Sequence, residues 1–489
     1  MIGLFNLTLD VLLFFTVTTP LVGGLASRIR KQSLSGIYAM IGLAASGIVL
    51  YEMYNSFSSN PTAPTAGNVF SALLRTDMLS IFLTAIFIGV GLATVVYSIK
   101  YMENDTGKPL YYTLLLAMIS GMVGVVFSGD LFTLYVFWEL MSISSYVLVT
   151  FRKETWEPVE AGFKYLIMSA AGSATVLLGM SFLYGMAGTL NFQGLATTLS
   201  TSSSVWLYIA FLFILVGFGV KTAIVPLHTW LPDAYSAAPT PISALLSGVV
   251  TETGLFALLR TCFSAFASIQ VQWFSIIAFL SILTMTTGNL MALLQNDVKR
   301  LLAYSSIANI GYMLVGLALA TQIGLTGTLL HIFNHALMKS TAFLCAGAII
   351  FRLKTRNLNE MSGVGRKMPI TTIFFAVSLF ALIGMPPLNG FISELTLVTA
   401  TMQSNVGWLG AAIILNSVLS AGYYLRVMRT LIQPTLSDAA QKAKEAPVLM
   451  LIPIGVMTAL IIFFGIYPGP AIKMAQQAAT ALLSAGVSR

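Results

Sequence analysis

Charge is what this sequence has least of. Of its 489 residues, 9% are Asp, Glu, Lys or Arg, against about 25% in an ordinary soluble domain. With 57% of residues hydrophobic, a soluble fold would have to expose far more apolar surface than soluble proteins carry. Cysteine is nearly absent. Cys262 and Cys345 each stand alone in an apolar stretch, without Cys or His at ligand spacing, which excludes the usual iron–sulfur, haem and zinc patterns. Histidine occurs three times. There is no glycine-rich phosphate loop, nucleotide motif or nucleophile–base pair, and glycine clusters such as "GMAGTLNF" read as membrane packing. The chain is expected to carry no cofactor, no metal and no redox centre of its own.

What fills the chain instead is a series of apolar runs, each long enough to cross ~30 Å of hydrocarbon at ~20 residues per helix. The expected fold is an all-α polytopic membrane protein. The runs fall near 5–27, 34–55, 77–100, 111–128, 130–151, 160–187, 204–231, 240–266, 271–294, 300–320, 322–351, 370–402, 405–432 and 447–467, about fourteen spans. The stretch 470–486 is too polar to count as another. The first run, "MIGLFNLTLDVLLFFTV", lacks the basic start and small-residue cleavage site of a signal peptide and is expected to stay as the first helix.

The net charge of +8 is a topology signal. Loops after odd-numbered spans hold Arg28, Arg30 and Lys31; Lys108; Arg152 and Lys153; Lys299 and Arg300; Arg352, Lys354, Arg356, Arg366 and Lys367; and Lys442 and Lys444. Loops after even-numbered spans, such as 56–76 and 188–203, hold almost none, with Arg75 and Arg260 as the exceptions. This is the positive-inside pattern rather than a nucleic-acid footprint. It puts the basic loops in the cytoplasm and both termini outside, and makes the partner a lipid bilayer.

Formally charged residues nevertheless stand deep in these spans: Glu139 in span 5, Lys221 in span 7, Glu252 in span 8, Lys339 in span 11 and Glu394 in span 12. His331 and His335 lie one helical turn apart in span 11, and Lys339 follows one turn on. A charge at mid-bilayer costs about 2.5–3.5 kcal/mol on insertion scales, so five left unpaired would cost about 15, comparable to a domain's whole stability. They must face the bundle interior and meet partners or water. Ion pairs that merely glue helices would need two residues, not a row of acids, bases and imidazoles over five helices. The backbone is interrupted at the same depth, by Pro226 and Pro232 after Lys221 and by Pro386, Pro387 and Gly390 before Glu394. Breaks at membrane depth are tolerated where freed carbonyls meet protein or water, and breaks in matching positions point to inverted repeats. The expected divisions are 1–110, a three-helix segment; 111–268, spans 4–8; 269–434, spans 9–13; and 435–489, a last helix and tail. The available chemistry is proton relay, because a buried lysine can hold or release its proton as a carboxylate such as Glu139 approaches or withdraws.

The segments "FWELMSISSY", "EAGFKYLIMSAAGS", "GVKTAIVPLHTWLPDAYSAAPTPISALLSG", "NDVKRLLAYSSIANIGYM", "HIFNHALMKSTAFL" and "GMPPLNGFISE" resemble the antiporter-like subunits shared by respiratory complex I, membrane-bound hydrogenases and Mrp-type sodium/proton antiporters. The resemblance spans about residues 75–430. It implies fourteen helices, two inverted five-helix repeats with spans 7 and 12 broken, and a proton path of Glu139, Lys221, Glu252, His331, His335, Lys339 and Glu394. It implies a non-redox, proton-translocating subunit, most like the quinone-module-proximal subunit of complex I or of the archaeal reduced-deazaflavin dehydrogenase, with a quinone or phenazine acceptor elsewhere. Its partners would be further antiporter-like and small helical membrane subunits. The alternatives are an Mrp antiporter or membrane-bound hydrogenase subunit and, from a different class, a solute carrier with a midplane pocket. In one place the sequence departs from the family. Many members carry a lysine in span 8, where this chain reads "VTETG" with Glu252.

Overall fold

The computed structural model describes residues 7–28, 34–59 and 73–484. Arg30, Lys31, most of the 56–76 loop and the last two residues of the 470–486 stretch lie outside these. The described chain forms α1 (Leu7–Arg28), α2 (Leu34–Ser59), α3 (Met78–Tyr101), α4 (Lys108–Phe127), α5 (Leu131–Val149) and α6 (Trp156–Ala187). The broken α7 follows, as α7a (Val205–Thr222) and α7b (Trp230–Ala237), then α8 (Thr240–Ala265). Next come α9 (Gln270–Leu293), α10 (Val298–Leu319), α11 (Gln322–Leu353), the broken α12 as α12a (Pro369–Ile383) and α12b (Asn389–Gln403), α13 (Gly407–Ile432), α14 (Val448–Ile466) and α15 (Gly469–Ser484). Twelve of these helices are long and apolar enough to cross a membrane. Beside them α1 is a shorter apolar helix and α12 is divided between α12a and α12b, so twelve spans among the described residues stand on length and composition against about fourteen expected. The polar stretch after them is the surface helix α15, which buries Ala471, Ala475, Ala478, Ala479 and Leu482 and packs on α3 and α11.

The expected alternation of ends is visible as contacts. At the end where odd-numbered helices finish, Arg152 pairs with Asp105 at 2.8 Å, Arg356 with Glu157 at 2.8 Å and Asp297 at 3.2 Å, and Asp233 with Arg300 at 2.9 Å and Lys164 at 3.1 Å. These residues come from loops and helix ends far apart in sequence, and they form one polar layer.

Two details differ from the sequence reading. Lys299 is no loop cation. It is buried, and its Nζ donates to the carbonyls of Ser236 at 2.9 Å and Ala238 at 2.6 Å, satisfying the orphan acceptors at the end of α7b. Arg75 and Arg260, the exceptions to the charge pattern, both reach Asp77, which caps α3 at the opposite end of the bundle. Burial pushes the Asp77 carboxyl up, but the Arg260 and Arg75 guanidiniums and the Ser80 N–H outweigh it and hold the group below its ordinary value.

The two halves of the bundle repeat each other upside down. Asp130, the N-cap of α5, forms an isolated antiparallel bridge with Asn191, just after α6. Asp297, the N-cap of α10, does the same with Asn357, just after α11. The backbone bonds match: Leu131 N to Leu190 O at 3.0 Å and Phe192 N to Gly129 O at 3.1 Å against Val298 N to Arg356 O at 3.0 Å and Leu358 N to Asn296 O at 2.8 Å. The first pair of bonds lies at one end of the bundle and the second at the other, because an odd number of helices separates them. The breaks also correspond, with a left-handed residue, Ala223 or Gly384, closing the first half-helix.

Candidate proton relay

The first group is built around the break in α7. Pro226 lies in that break, but Pro232 sits in the first turn of α7b, where no intrahelical N–H is required, so it does not interrupt the helix. Likewise Pro386 and Pro387 lie in the break of α12, whereas Gly390 is inside α12b. A Cβ on Gly390 would stand 1.9 Å from the Ala381 carbonyl oxygen, so glycine is there for close approach of the two half-helices. Ending α7a frees the Val220 carbonyl, which accepts a 2.8 Å hydrogen bond from Trp230 Nε1. The same indole stacks on Tyr165 of α6 at 4.1 Å and 5°. Tyr165 holds the lysine: Lys221 Nζ donates to Tyr165 Oη at 2.6 Å, Ser142 Oγ at 3.0 Å and Ser145 Oγ at 3.4 Å, and lies 4.6 Å from the Tyr165 ring centroid.

The expected Lys221–Glu139 contact is absent. Among the described residues no ion pair joins them, Glu139 is half-buried on α5, and its Oε1 has no hydrogen-bond partner. Ser142 and Ser145, farther along the same helix, meet the ammonium instead.

The centre is formed by α8 and α11. One turn of π-helix, Leu246–Val250, widens α8 just before Glu252. A Cβ on Gly248 in this turn would stand 2.1 Å from Ser340 Oγ, so the turn brings α8 hard against α11. Glu252 faces inward, and its Oε1 lies 2.6 Å from His335 Nδ1, with both side chains fully buried. Glu252 Oε2 and His335 Nε2 have no partner. Trp230 meets Tyr235 edge to face at 6.3 Å, and Tyr235 Oη donates to the Leu246 carbonyl of the π-turn at 2.7 Å.

The remaining groups lead to α12 and α13. Asn309 Nδ2 donates to the Ser305 carbonyl at 2.7 Å, which turns its Oδ1 toward His331 Nε2 at 3.1 Å and assigns that nitrogen the proton. His331 Nδ1 lies 3.0 Å from Ser393 Oγ of α12b. Lys339 Nζ donates to Ser305 Oγ and, at 3.2 Å, to Tyr424 Oη. Lys221 and Lys339 are therefore held alike, each by serine and tyrosine hydroxyls. The adjacent Tyr423 donates to Asn289 Oδ1 at 2.9 Å, and Asn289 Nδ2 donates to Asn416 Oδ1 at 3.0 Å. Ser417 donates to Glu394 Oε2 at 2.7 Å.

Sequence reasoning missed these hydroxyls and amides. A signal existed in α13, where Asn416, Ser420, Tyr423 and Tyr424 fall on one stripe of an otherwise apolar span. None existed for Tyr165, one aromatic among many. Tyr165→Phe keeps the ring stacked on Trp230 and removes the 2.6 Å bond to Lys221 together with the 2.8 Å contact to Ser145 Oγ. Proton translocation by the assembled complex is expected to fall severalfold, with assembly unchanged. A wild-type rate would show that the phenol does not tune the lysine.

Comparison with known proteins gives a consistent picture. A family model described as "NADH:quinone oxidoreductase/Mrp antiporter, TM" matches residues 128–420, and one described as "NADH-Ubiquinone oxidoreductase (complex I), chain 5 N-terminus" matches 65–112. The F(420)H(2) dehydrogenase subunit N of Methanosarcina mazei is 32% identical over 97% of this chain and 98% of its own length. The NADH-quinone oxidoreductase subunit N of Desulforudis audaxviator is 33% identical over 77% of this chain and 78% of its own. A chain of the membrane-bound sulfane sulfur reductase, an archaeal respiratory membrane complex, superposes with a TM-score of 0.88 at 25% identity, covering 98% of this chain and 97% of that one.

Proposed function

Because the chain belongs to the NADH:quinone oxidoreductase/Mrp antiporter membrane family, we propose that it is the proton-translocating, non-redox membrane subunit of a complex I-like dehydrogenase. Electron transfer to a quinone or phenazine in neighbouring subunits drives it. The observation that carries this reading is the file of buried Lys221, Glu252–His335, His331 and Lys339 and half-buried Glu394, in contact with hydroxyls and amides across both repeats. Each member can accept or donate a proton, and their hydroxyl and amide partners can pass one on. Glu139, on the helix that supplies Ser142 and Ser145, is the mobile carboxylate that sets the Lys221 proton by approaching or leaving.

The basic end faces the cytoplasm, both termini face outward, and the chain binds no cofactor. Its partners are further antiporter-like and small helical membrane subunits of the same assembly.

The test is purification from native membranes followed by reconstitution in vesicles. The chain is expected to co-purify with redox and membrane subunits, and donor oxidation is expected to acidify one side of the vesicle. Alone it should reduce no acceptor. Acceptor reduction by the isolated chain would overturn the reading. Sodium-for-proton exchange without any electron donor would favour the antiporter alternative.

A further inference from the structure

The buried arginine at the opposite end of α8 has no place in the relay described so far. Arg260 is 0% exposed, in a helix that also carries Glu252. Glu252, Phe256 and Arg260 are spaced four residues apart, so they form one stripe of α8, and the outer two lie ~12 Å apart along the axis. The Arg260 guanidinium carbon stands 5.3 Å from the Phe256 ring centroid. Its Nη1 donates to Asp77 Oδ2 at 2.7 Å, but its Nε and Nη2 have no partner at all.

A guanidinium needs its donors satisfied when buried, and two bare nitrogens carrying three N–H bonds mark a place for water. Further unpartnered polar atoms occur on the helices around it: Thr84 Oγ1 on α3, and at the other end of the stripe Glu252 Oε2 and His335 Nε2. Asp77 is shared. The same Oδ2 lies 3.3 Å from Nε of Arg75, whose side chain is 30% exposed, so the carboxylate stands between a buried cation and one in contact with the surface. If the pair only clasped α3 to α8, one fully bonded arginine would suffice.

We infer that Arg260 and Asp77 form the terminal gate of the relay at this end. Arg260 holds a fixed positive charge between the Glu252–His335 pair and the outer face, and a proton passes when Asp77 exchanges Arg260 for Arg75. This rests on the relay reading above. A unit charge ~12 Å away at an effective dielectric of about 20 changes proton affinity about tenfold, a barrier to passage in both directions that falls only when the guanidinium moves.

The test uses the assembled complex in vesicles with a pH dye in the lumen. Arg260→Gln is expected to raise the passive proton leak at least about fivefold and lower the driven gradient to match, while donor oxidation continues. Arg260→Lys keeps the cation and should behave as wild type. The double variant Arg260→Gln with Asp77→Asn replaces the ion pair by a neutral hydrogen-bonded pair, avoids a lone buried carboxylate, and should leak like Arg260→Gln. A double variant that holds a normal gradient, or that fails to assemble, would make the pair a structural clasp and overturn the gate, as would an uncoupled Arg260→Lys. A wild-type complex that moves no protons in the same vesicles would defeat the relay itself, an outcome distinct from the gate's failure.

Discussion

Replacing Lys221 by alanine is expected to abolish proton translocation while leaving the complex assembled. Assembly should survive because two of the ammonium's three partners satisfy each other without it: Ser145 Oγ lies 2.8 Å from Tyr165 Oη and 2.7 Å from the Ser142 carbonyl, and Trp230 still caps Val220. Only the Ser142 hydroxyl loses its partner, and a serine in a helix can turn its hydroxyl back onto its own backbone, so the loss in stability stays small. Function should not survive, since the buried ammonium to which the relay assigns the proton at the α7 break is gone. Lys221→Arg sharpens the test. It keeps the positive charge, but a guanidinium does not release a proton, so translocation should be lost equally. The measurement is acidification of vesicles holding the assembled complex. Pumping near the wild-type rate in either variant would remove Lys221 from the relay.

The second large effect is expected at Glu252. Glu252→Gln preserves size and a hydrogen bond to His335 but cannot exchange a proton. The pumping rate should fall at least about tenfold, equivalent to about 1.4 kcal/mol of barrier. The argument rests on the 2.6 Å contact with His335 and on the unpartnered Oε2 and Nε2 on either side of it, where ordered water can bridge to the next group. Glu252→Lys should retain part of the activity, because relatives carry lysine in this span and an ammonium can also hold and release a proton. Wild-type pumping by Glu252→Gln would mean that the proton bypasses α8 and that the carboxylate is only a packing partner of His335.

The spans were legible because the bilayer imposes a local rule. A helix must be apolar for about twenty residues whatever it packs against, so their order could be read without knowing neighbours. The breaks were legible for the same reason, since proline acts on its own turn, though Pro232 and Gly390 show the limit. Whether proline interrupts a helix or begins one depends on where the preceding residues turn, and Ala223 makes that turn at a φ of 59°. Charge in the loops gave the alternation of ends, yet it treated Lys299 and Arg260 as loop or stray cations. Sequence position alone does not say that a lysine folds back over the end of α7b or that an arginine finds an aspartate 183 residues away.

By itself, then, the sequence determined the membrane class, the order of the spans, the two interrupted helices and the inventory of ionisable groups within them. Each of these follows from the cost of placing polar atoms in hydrocarbon. Only the tertiary structure decided the partners: Lys221 with Tyr165 and two serines rather than Glu139, Glu252 with His335, Lys339 with Tyr424, Arg260 with Asp77. Serine and threonine hydroxyls in a membrane helix can satisfy themselves on their own backbone four residues back, as Thr222 does on Phe218 and Thr253 on Val249. Nothing local separates such a hydroxyl from one that turns outward to hold a lysine. That choice is made by which helix lies across from it.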